Sequence, residues 1–319
     1  MRKLGNFRYI PIYIGIFMFL IIAGVQYSSY VRNDSSLSAV AEAHALPERR
    51  EFRKIAGISK NPNQPIIVVV TPTYKRLTRI PDMIRMANTL SHIEDLHWIV
   101  IEDSNKTVPA VEDILKRTGL PYTYMAVQTA PGYPKKGWFQ RTTALRFIRS
   151  NTSQILGTDY KKGVLYFGDD DNSYDIRLFT EYIRNVKKLG MWAVGEYFGD
   201  GYVGGSPVEA PKVVNGAVTS FNVKWSPKRK FAVDMAGFAV NLKVILKTDA
   251  VFGTSCKRGT GAPETCLLED MGLEKGDIEP FGWEGEKDRE ILVWHTKTKD
   301  PYIMKKPGAS ETFGYFVEM

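Results

Sequence analysis

Ile66-Ile67-Val68-Val69-Val70 is a run of five β-branched residues with no polar break. Such side chains suit a pleated strand, and a run without alternation leaves no face for water, so the strand must be covered on both sides. A sheet covered on both faces needs crossover helices, which predicts β-α alternation downstream. The alternation is present: helical spacing through Ile80, Met83, Ile84, Met86, Ala87 and Leu90, a strand over 96–101, a helix over 109–117, a strand over 122–127, a helix over 139–149 and a strand over 164–167. The predicted fold class is α/β with a mostly parallel sheet. Beyond Gly190 the texture changes to short predicted strands at 191–195, 212–214, 218–221 and 231–233, separated by Gly and Pro. These predict a smaller mixed subdomain fused to the first. With 319 residues and 44% hydrophobic content the chain can bury a large core, which excludes compositional disorder.

The last of the early strands ends in Gly168-Asp169-Asp170-Asp171. Adjacent carboxylates are costly to bury unpaired, so they belong at the strand's C-terminal edge, where open α/β sheets hold ligands. Hard divalent ions take oxygen ligands and keep positions open for substrate phosphate, so an aspartate edge can recruit a nucleotide diphosphate through a metal. Acidic triplets also occur in solvated loops, and Asn172-Ser173-Tyr174-Asp175 behind this one predicts a turn capping a helix through Leu178, Phe179 and Tyr182. No Gly-x-Gly-x-x-Gly follows the first strand, which argues against a nicotinamide dinucleotide enzyme. The formal charge of +8 is scattered in pairs such as Arg49-Arg50, Lys135-Lys136 and Lys187-Lys188, which form no stripe for nucleic acid.

Residues 9–27 carry no charge and are flanked by Arg2, Lys3 and Arg8 before and Arg32 after. That length can span a bilayer as a helix, and the leading cations favour a cytosolic N-terminus with everything after the span in the lumen. A signal peptide cleaved near Ile22-Ala23-Gly24 is the alternative, with a shorter apolar core than this one. Length and flanks favour an uncleaved anchor over 9–27, with residues 1–8 a cytosolic tail, 28–63 a polar stem, 64–301 the ordered domain, divided near 190, and 302–319 a tail. Asn33, Asn105 and Asn151 each open an Asn-x-Ser/Thr acceptor, in keeping with lumenal exposure. Cys256 and Cys266 are either a short-loop disulfide or two separate buried thiols, and spacing alone does not decide.

Thr71-Pro72-Thr73-Tyr74, Trp98 through Asp103, Gln140-Arg141, Tyr166 through Asn172, Phe231 through Leu242 and Val293-Trp294-His295-Thr296 occur in an order that resembles the β-1,3-glucuronosyltransferases of glycosyltransferase family 43. The resemblance spans roughly residues 65–301. It implies a GT-A fold, with a nucleotide-sugar half over 64–190 and an acceptor half over 191–301. It implies a Golgi type II membrane protein, often homodimeric, that uses UDP-glucuronate and Mn²⁺ to glucuronidate a terminal galactose with inversion.

Carried over by position, Pro72, Thr73, Tyr74 and Asp103 would hold uracil and ribose, Arg141 the diphosphate or the sugar carboxylate, His295 the diphosphate, and Asp169 and Asp170 ribose and sugar hydroxyls. Asp171 would be the direct metal ligand and Glu264 the catalytic base, since an inverting displacement needs a carboxylate to take the acceptor proton. Glu209, Arg229 and Asp234 would bind the acceptor. Taken alone, several of these side chains have plainer roles: Tyr74 as a loop aromatic, Arg141 as a helix-surface ion pair, Glu264 as a first-turn carboxylate, His295 as a strand end. Lys136 and Lys297 stand where the family usually has arginine, which keeps the charge but loses the bidentate fork. A transferase using another UDP-sugar such as UDP-xylose, or a catalytically silent glycan-binding scaffold, is the rival expectation. The acceptor, whether proteoglycan linker, N-glycan antenna or glycolipid, is not legible.

Overall fold

A computed structural model of the chain describes residues 64–156, 162–196, 207–285 and 289–296. The predicted span at 9–27, the stem, Asn33, Lys297 and the tail lie outside them. Among the described residues no helix is long and apolar enough to cross a membrane.

Strands β1 (Ile67–Thr73), β2 (Leu96–Glu102), β3 (Tyr122–Ala126) and β4 (Val164–Phe167) are parallel neighbours. They are joined by α1 (Arg79–Leu90), α2 (Pro109–Thr118) and α3 (Trp138–Leu156). The side chains divide with period two, as a covered sheet requires. Val68, Val70, Ile99, Ile101, Leu165 and Phe167 pack with Ala144, Leu145 and Ile148 of α3 on one face. Ile67, Val69, Trp98, Val100 and Tyr166 pack with Met83 and Met86 of α1 and Ile114 and Leu115 of α2 on the other.

Three later strands complete the same sheet. β6 (Leu189–Met191), β10 (Phe238–Asn241) and β11 (Ile278–Pro280) give the order β11-β6-β10-β4-β1-β2-β3, with β10 antiparallel to both neighbours. A second sheet has the order β5-β12-β7-β8-β9. Its strands are β5 (Ser173–Tyr174), β7 (Val194–Glu196), β8 (Val208–Val214), β9 (Ala217–Asn222) and β12 (Val293–His295). Helices α4 (Leu242–Ile245) and α5 (Pro263–Asp270) follow the main sheet's β10. Gly190 therefore lies inside a strand of the main sheet, and both sequence halves contribute to that sheet.

Several local expectations are corrected. The run over 191–195 is not one strand: the Trp192 amide donates to the Gly237 carbonyl at 3.1 Å, and the chain leaves the main sheet there to enter the second as β7. Phe231 to Val233 is buried but is no strand; the Thr265 hydroxyl bonds the Phe231 carbonyl at 2.9 Å in place of a ladder partner. After Asp175 a single π turn at Leu178–Tyr182 and a 3-10 turn at Ile183–Asn185 replace the regular helix. Cys256 and Cys266 form a disulfide with Cα atoms 5.9 Å apart, closing the question spacing left open.

Candidate active site

The C-terminal ends of β1, β2 and β4, the start of α3, the second sheet and the start of α5 enclose one cleft of about 1090 Å³. Pro72, Thr73, Tyr74, Asp103, Lys136, Arg141, Asp169, Asp170, Asp171, Glu209, Arg229, Asp234, Glu264 and His295 all line it. The fold thus brings together every catalytic, metal, donor and acceptor candidate that the described residues include.

The aspartate triplet does not act as one group. Asp170 is buried, and its carboxylate accepts hydrogen bonds from the Thr73 hydroxyl at 2.7 Å and Arg76 at 3.0 Å. Burial pushes it up to about 6 against the pull of Arg76. Asp169 pairs with Arg141, whose other amino group donates to the Lys136 carbonyl at 3.0 Å. Gly137, at φ +74°, makes that approach possible, because a Cβ there would lie 2.7 Å from the Arg141 guanidinium and 2.9 Å from the Pro72 ring. Asp171 is tied down by its backbone carbonyl, which accepts from Arg85 at 2.8 Å and from the Thr296 hydroxyl at 3.1 Å. Among the described residues no hydrogen bond or ion pair reaches its carboxylate. Burial raises its pKa, and the neighbouring Asp169 charge adds to that. An oxygen donor held in place and left without a partner fits a hard divalent cation.

On the same wall Asp103 accepts the Thr129 amide and hydroxyl, both at 2.7 Å, and Tyr74 stands exposed at the rim with the Arg76 guanidinium 5.2 Å from its ring centre. An exposed aromatic ring beside carboxylates at strand ends can cover a base with the face that the guanidinium leaves open, and the carboxylates can bond a ribose.

The opposite wall is acidic and buried. Glu264 sits in the first turn of α5, after Pro263 at the first helical position, and its Oε2 is buried without a hydrogen-bond partner. Burial pushes its carboxyl up to about 7, with the Asp234 charge adding to the effect. Glu209 on β8 is also pushed up to about 7 by burial. Arg229 lies 4.7 Å over the exposed Trp225 ring. Asp234 caps the 3-10 turn Met235–Gly237 by accepting the Ala236 amide at 2.8 Å, and its other oxygen lies 3.1 Å from His295 Nδ1. Burial alone would raise Asp234, but His295 holds it below the usual carboxylate range.

Glu196, Trp225, Thr129 and Arg76 were not picked out from the sequence. Glu196 ends a strand in an acid, the same signal that marks Asp169, and Glu196, Asp234 and His295 bring one ligand-type atom each within 4.8 Å of one another. The imidazole is the positive charge within that group. Among the glycan acceptors Asn105 is exposed, whereas the Asn151 side chain is buried in α3 and donates to the Phe147 carbonyl at 2.9 Å, which withdraws it from modification in the folded chain.

A cleft with a cation-ready acid edge and basic groups for phosphate on one wall, and a buried proton acceptor on the other, is that of a glycosyltransferase. The chain belongs to glycosyltransferase family 43, which it matches over residues 86–299. It is 38% identical over 258 residues to galactosylgalactosylxylosylprotein 3-beta-glucuronosyltransferase sqv-8 of Caenorhabditis elegans, covering 77% of this chain and 68% of that protein. It is 39% identical over 259 residues to galactosylgalactosylxylosylprotein 3-beta-glucuronosyltransferase 1 of Homo sapiens, covering 76% and 72%. Among solved structures, S. aureus TarS 1-349 overlays with a TM-score of 0.47 at 15% identity, over 72% of this chain and 60% of that one, too distant to add to the family assignment.

Proposed function

We propose that the protein transfers glucuronic acid from UDP-glucuronate, with inversion, to O3 of a terminal galactose on a glycan. The names of the relatives support glucuronosyl transfer to a galactose-terminated glycan, and the observation that carries the reading is that an Asp171 carboxylate without a partner and the buried, unpartnered Glu264 Oε2 line one cleft. Asp171 would hold Mn²⁺, which offsets charge on the departing diphosphate when bound. Tyr74 would cover uracil, and Asp103 would take the ribose. Arg141 would bind the diphosphate or the sugar carboxylate and His295 the diphosphate, with Lys136 adding a point charge at the rim. Glu209, Arg229 and Asp234 would bond acceptor hydroxyls and turn the galactose O3 towards Glu264.

Glu264 then accepts the O3 proton as the new bond forms and UDP leaves. A group titrating near 7 is matched to that task, being basic enough to take the proton and mostly ionised above neutrality. A GT-A type fold and a lumenal site in the Golgi, held by a type II anchor over 9–27, complete the proposal. The disulfide supports an oxidising compartment.

The test is donor and metal turnover with paired variants. Asp171→Asn should abolish Mn²⁺-dependent UDP binding by calorimetry, and Glu264→Gln should spare binding while lowering kcat by about 10²- to 10⁴-fold. Turnover of UDP-xylose but not UDP-glucuronate would overturn the donor assignment.

A further inference from the structure

We propose that Glu196 is a positioning residue: with Asp234 it holds the His295 imidazole by Nδ1, so that Nε2 is presented to the leaving diphosphate. The proposal rests on the diphosphate role given to His295 above.

Strand register places the pair. β12 runs parallel to β7 with His295 opposite Glu196 and Trp294 opposite Gly195, so His295 and Glu196 leave the sheet on the same face. β8 is antiparallel to β7 with Glu209 opposite Val194, which puts Glu209 on that face as well. The Glu196 amide donates to the Pro207 carbonyl at 2.9 Å, which fixes the strand end. On the other face the Trp294 ring fills the space a Cβ on Gly195 would take, at 2.2 Å, and locks the two strands together.

Two carboxylates then meet at one nitrogen. His295 Nδ1 is 3.1 Å from Asp234 Oδ2 and 3.5 Å from Glu196 Oε2, with the Glu196 side chain 1% exposed and that of His295 25% exposed. A buried carboxylate needs a counter-charge, and here that charge is the imidazolium. With Nδ1 engaged, the ring's remaining donor is Nε2, and among the described residues no hydrogen bond reaches it. His295 lines the cleft together with the aspartate triplet.

The charged groups facing the ring are Asp234 before the 3-10 turn, Glu196 on β7, Glu209 on β8 and Asp171 after β4. Burial works against the ring's charge, but Asp234 first and Glu196 second outweigh it and push it up to about 11. Glu196 itself is pushed up to about 7 by burial, with Asp234 and Glu209 adding to that and His295 opposing it. Asp234 therefore supplies most of the charge stabilisation, while Glu196 adds its share above neutrality and restrains the ring throughout.

The ring can be read directly by NMR of the full chain labelled with ¹⁵N-histidine, its four imidazoles assigned with His295→Gln. The wild-type ring should stay charged well above the ordinary histidine range. Glu196→Gln should lower its titration by about one pH unit or more, whereas Glu196→Asp, which keeps the charge, should lower it less. UDP affinity should fall about tenfold in Glu196→Gln, and Glu196→Gln should cost nothing further in a His295→Gln background.

An ordinary wild-type titration, identical behaviour of the Gln and Asp variants, or additive losses in the double variant would overturn the proposal. Wild-type protein that binds no UDP would instead overturn the donor assignment. The two failures are distinct, because the ring titration needs no UDP.

Discussion

Replacing Glu264 by Gln should stabilise the folded protein at alkaline pH while sharply lowering turnover. In the folded chain burial moves this carboxyl from 4.5 to about 7. Below about pH 4.5 the folded and unfolded states both hold the proton, and the side chain adds no pH dependence. Between 4.5 and about 7 the folded state keeps a proton that the unfolded chain releases, so stability falls as pH rises. Above about 7 the cost levels off near 3 kcal/mol, at 1.36 kcal/mol for each tenfold step in acidity. Gln carries no charge to desolvate and escapes that cost. At roughly 2–4 °C per kcal/mol for a domain of this size, the variant should melt about 6–12 °C higher than wild type at pH 8.5 and within a degree or two of it at pH 4.5. Thermal melts of both proteins across that range decide the matter, since Glu196 and Glu209 titrate in both and cancel in the difference. A gap that does not change with pH would refute the claim that a buried, proton-hungry carboxylate sits at the start of α5.

Two further outcomes follow from geometry near the same residues. Cys256→Ser should cost about 2–3 kcal/mol in urea unfolding, the loop-closure value for a separation of ten residues, and a reductant should mimic it in wild type but not in the variant. Gly195→Ala should cost about 1–3 kcal/mol by driving a methyl into the Trp294 ring, and it should raise KM for the nucleotide sugar because His295 is the next residue on the displaced strand.

Much of the wall built by β1, β2 and β4 was legible because it obeys rules that local pattern encodes. Aliphatic runs such as 66–70 declare buried parallel strands, and a strand that stops in aspartates declares its own ligand edge. The second sheet was harder to read, because its strands are short and their partners remote. Met191 and Val194 look like one strand in sequence, yet the chain changes sheets between them. Phe231 to Val233 is as apolar as a strand, but its carbonyl is satisfied by a threonine far along the chain, which no window of residues reveals. The turn Asn215-Gly216, with both residues at positive φ, is a strong local signal for the β8-β9 hairpin and accounts for the turn between the expected strands at 212–214 and 218–221. Of the site residues, Asp171 and Glu264 could be placed by resemblance. The partition of the triplet into one aspartate held by Arg76, one held by Arg141 and one left open is a product of packing alone. Glu196 carries the same strand-end acid signal as Asp169, but its strand is only three residues long and a single glutamate marks it less strongly than three consecutive aspartates.

β10 lies between β4 and β6 in the main sheet, so the strand that carries the aspartates gains one of its two neighbours only after residue 241 has been made. During synthesis the first parallel strands can assemble early, but the aspartate edge stays half supported, with apolar surface uncovered, until late in elongation. Release of a chain truncated before that point would yield a species prone to association, with its aspartate edge unsupported. The late strand therefore holds back a fully supported aspartate edge until long after the aspartates themselves have been made.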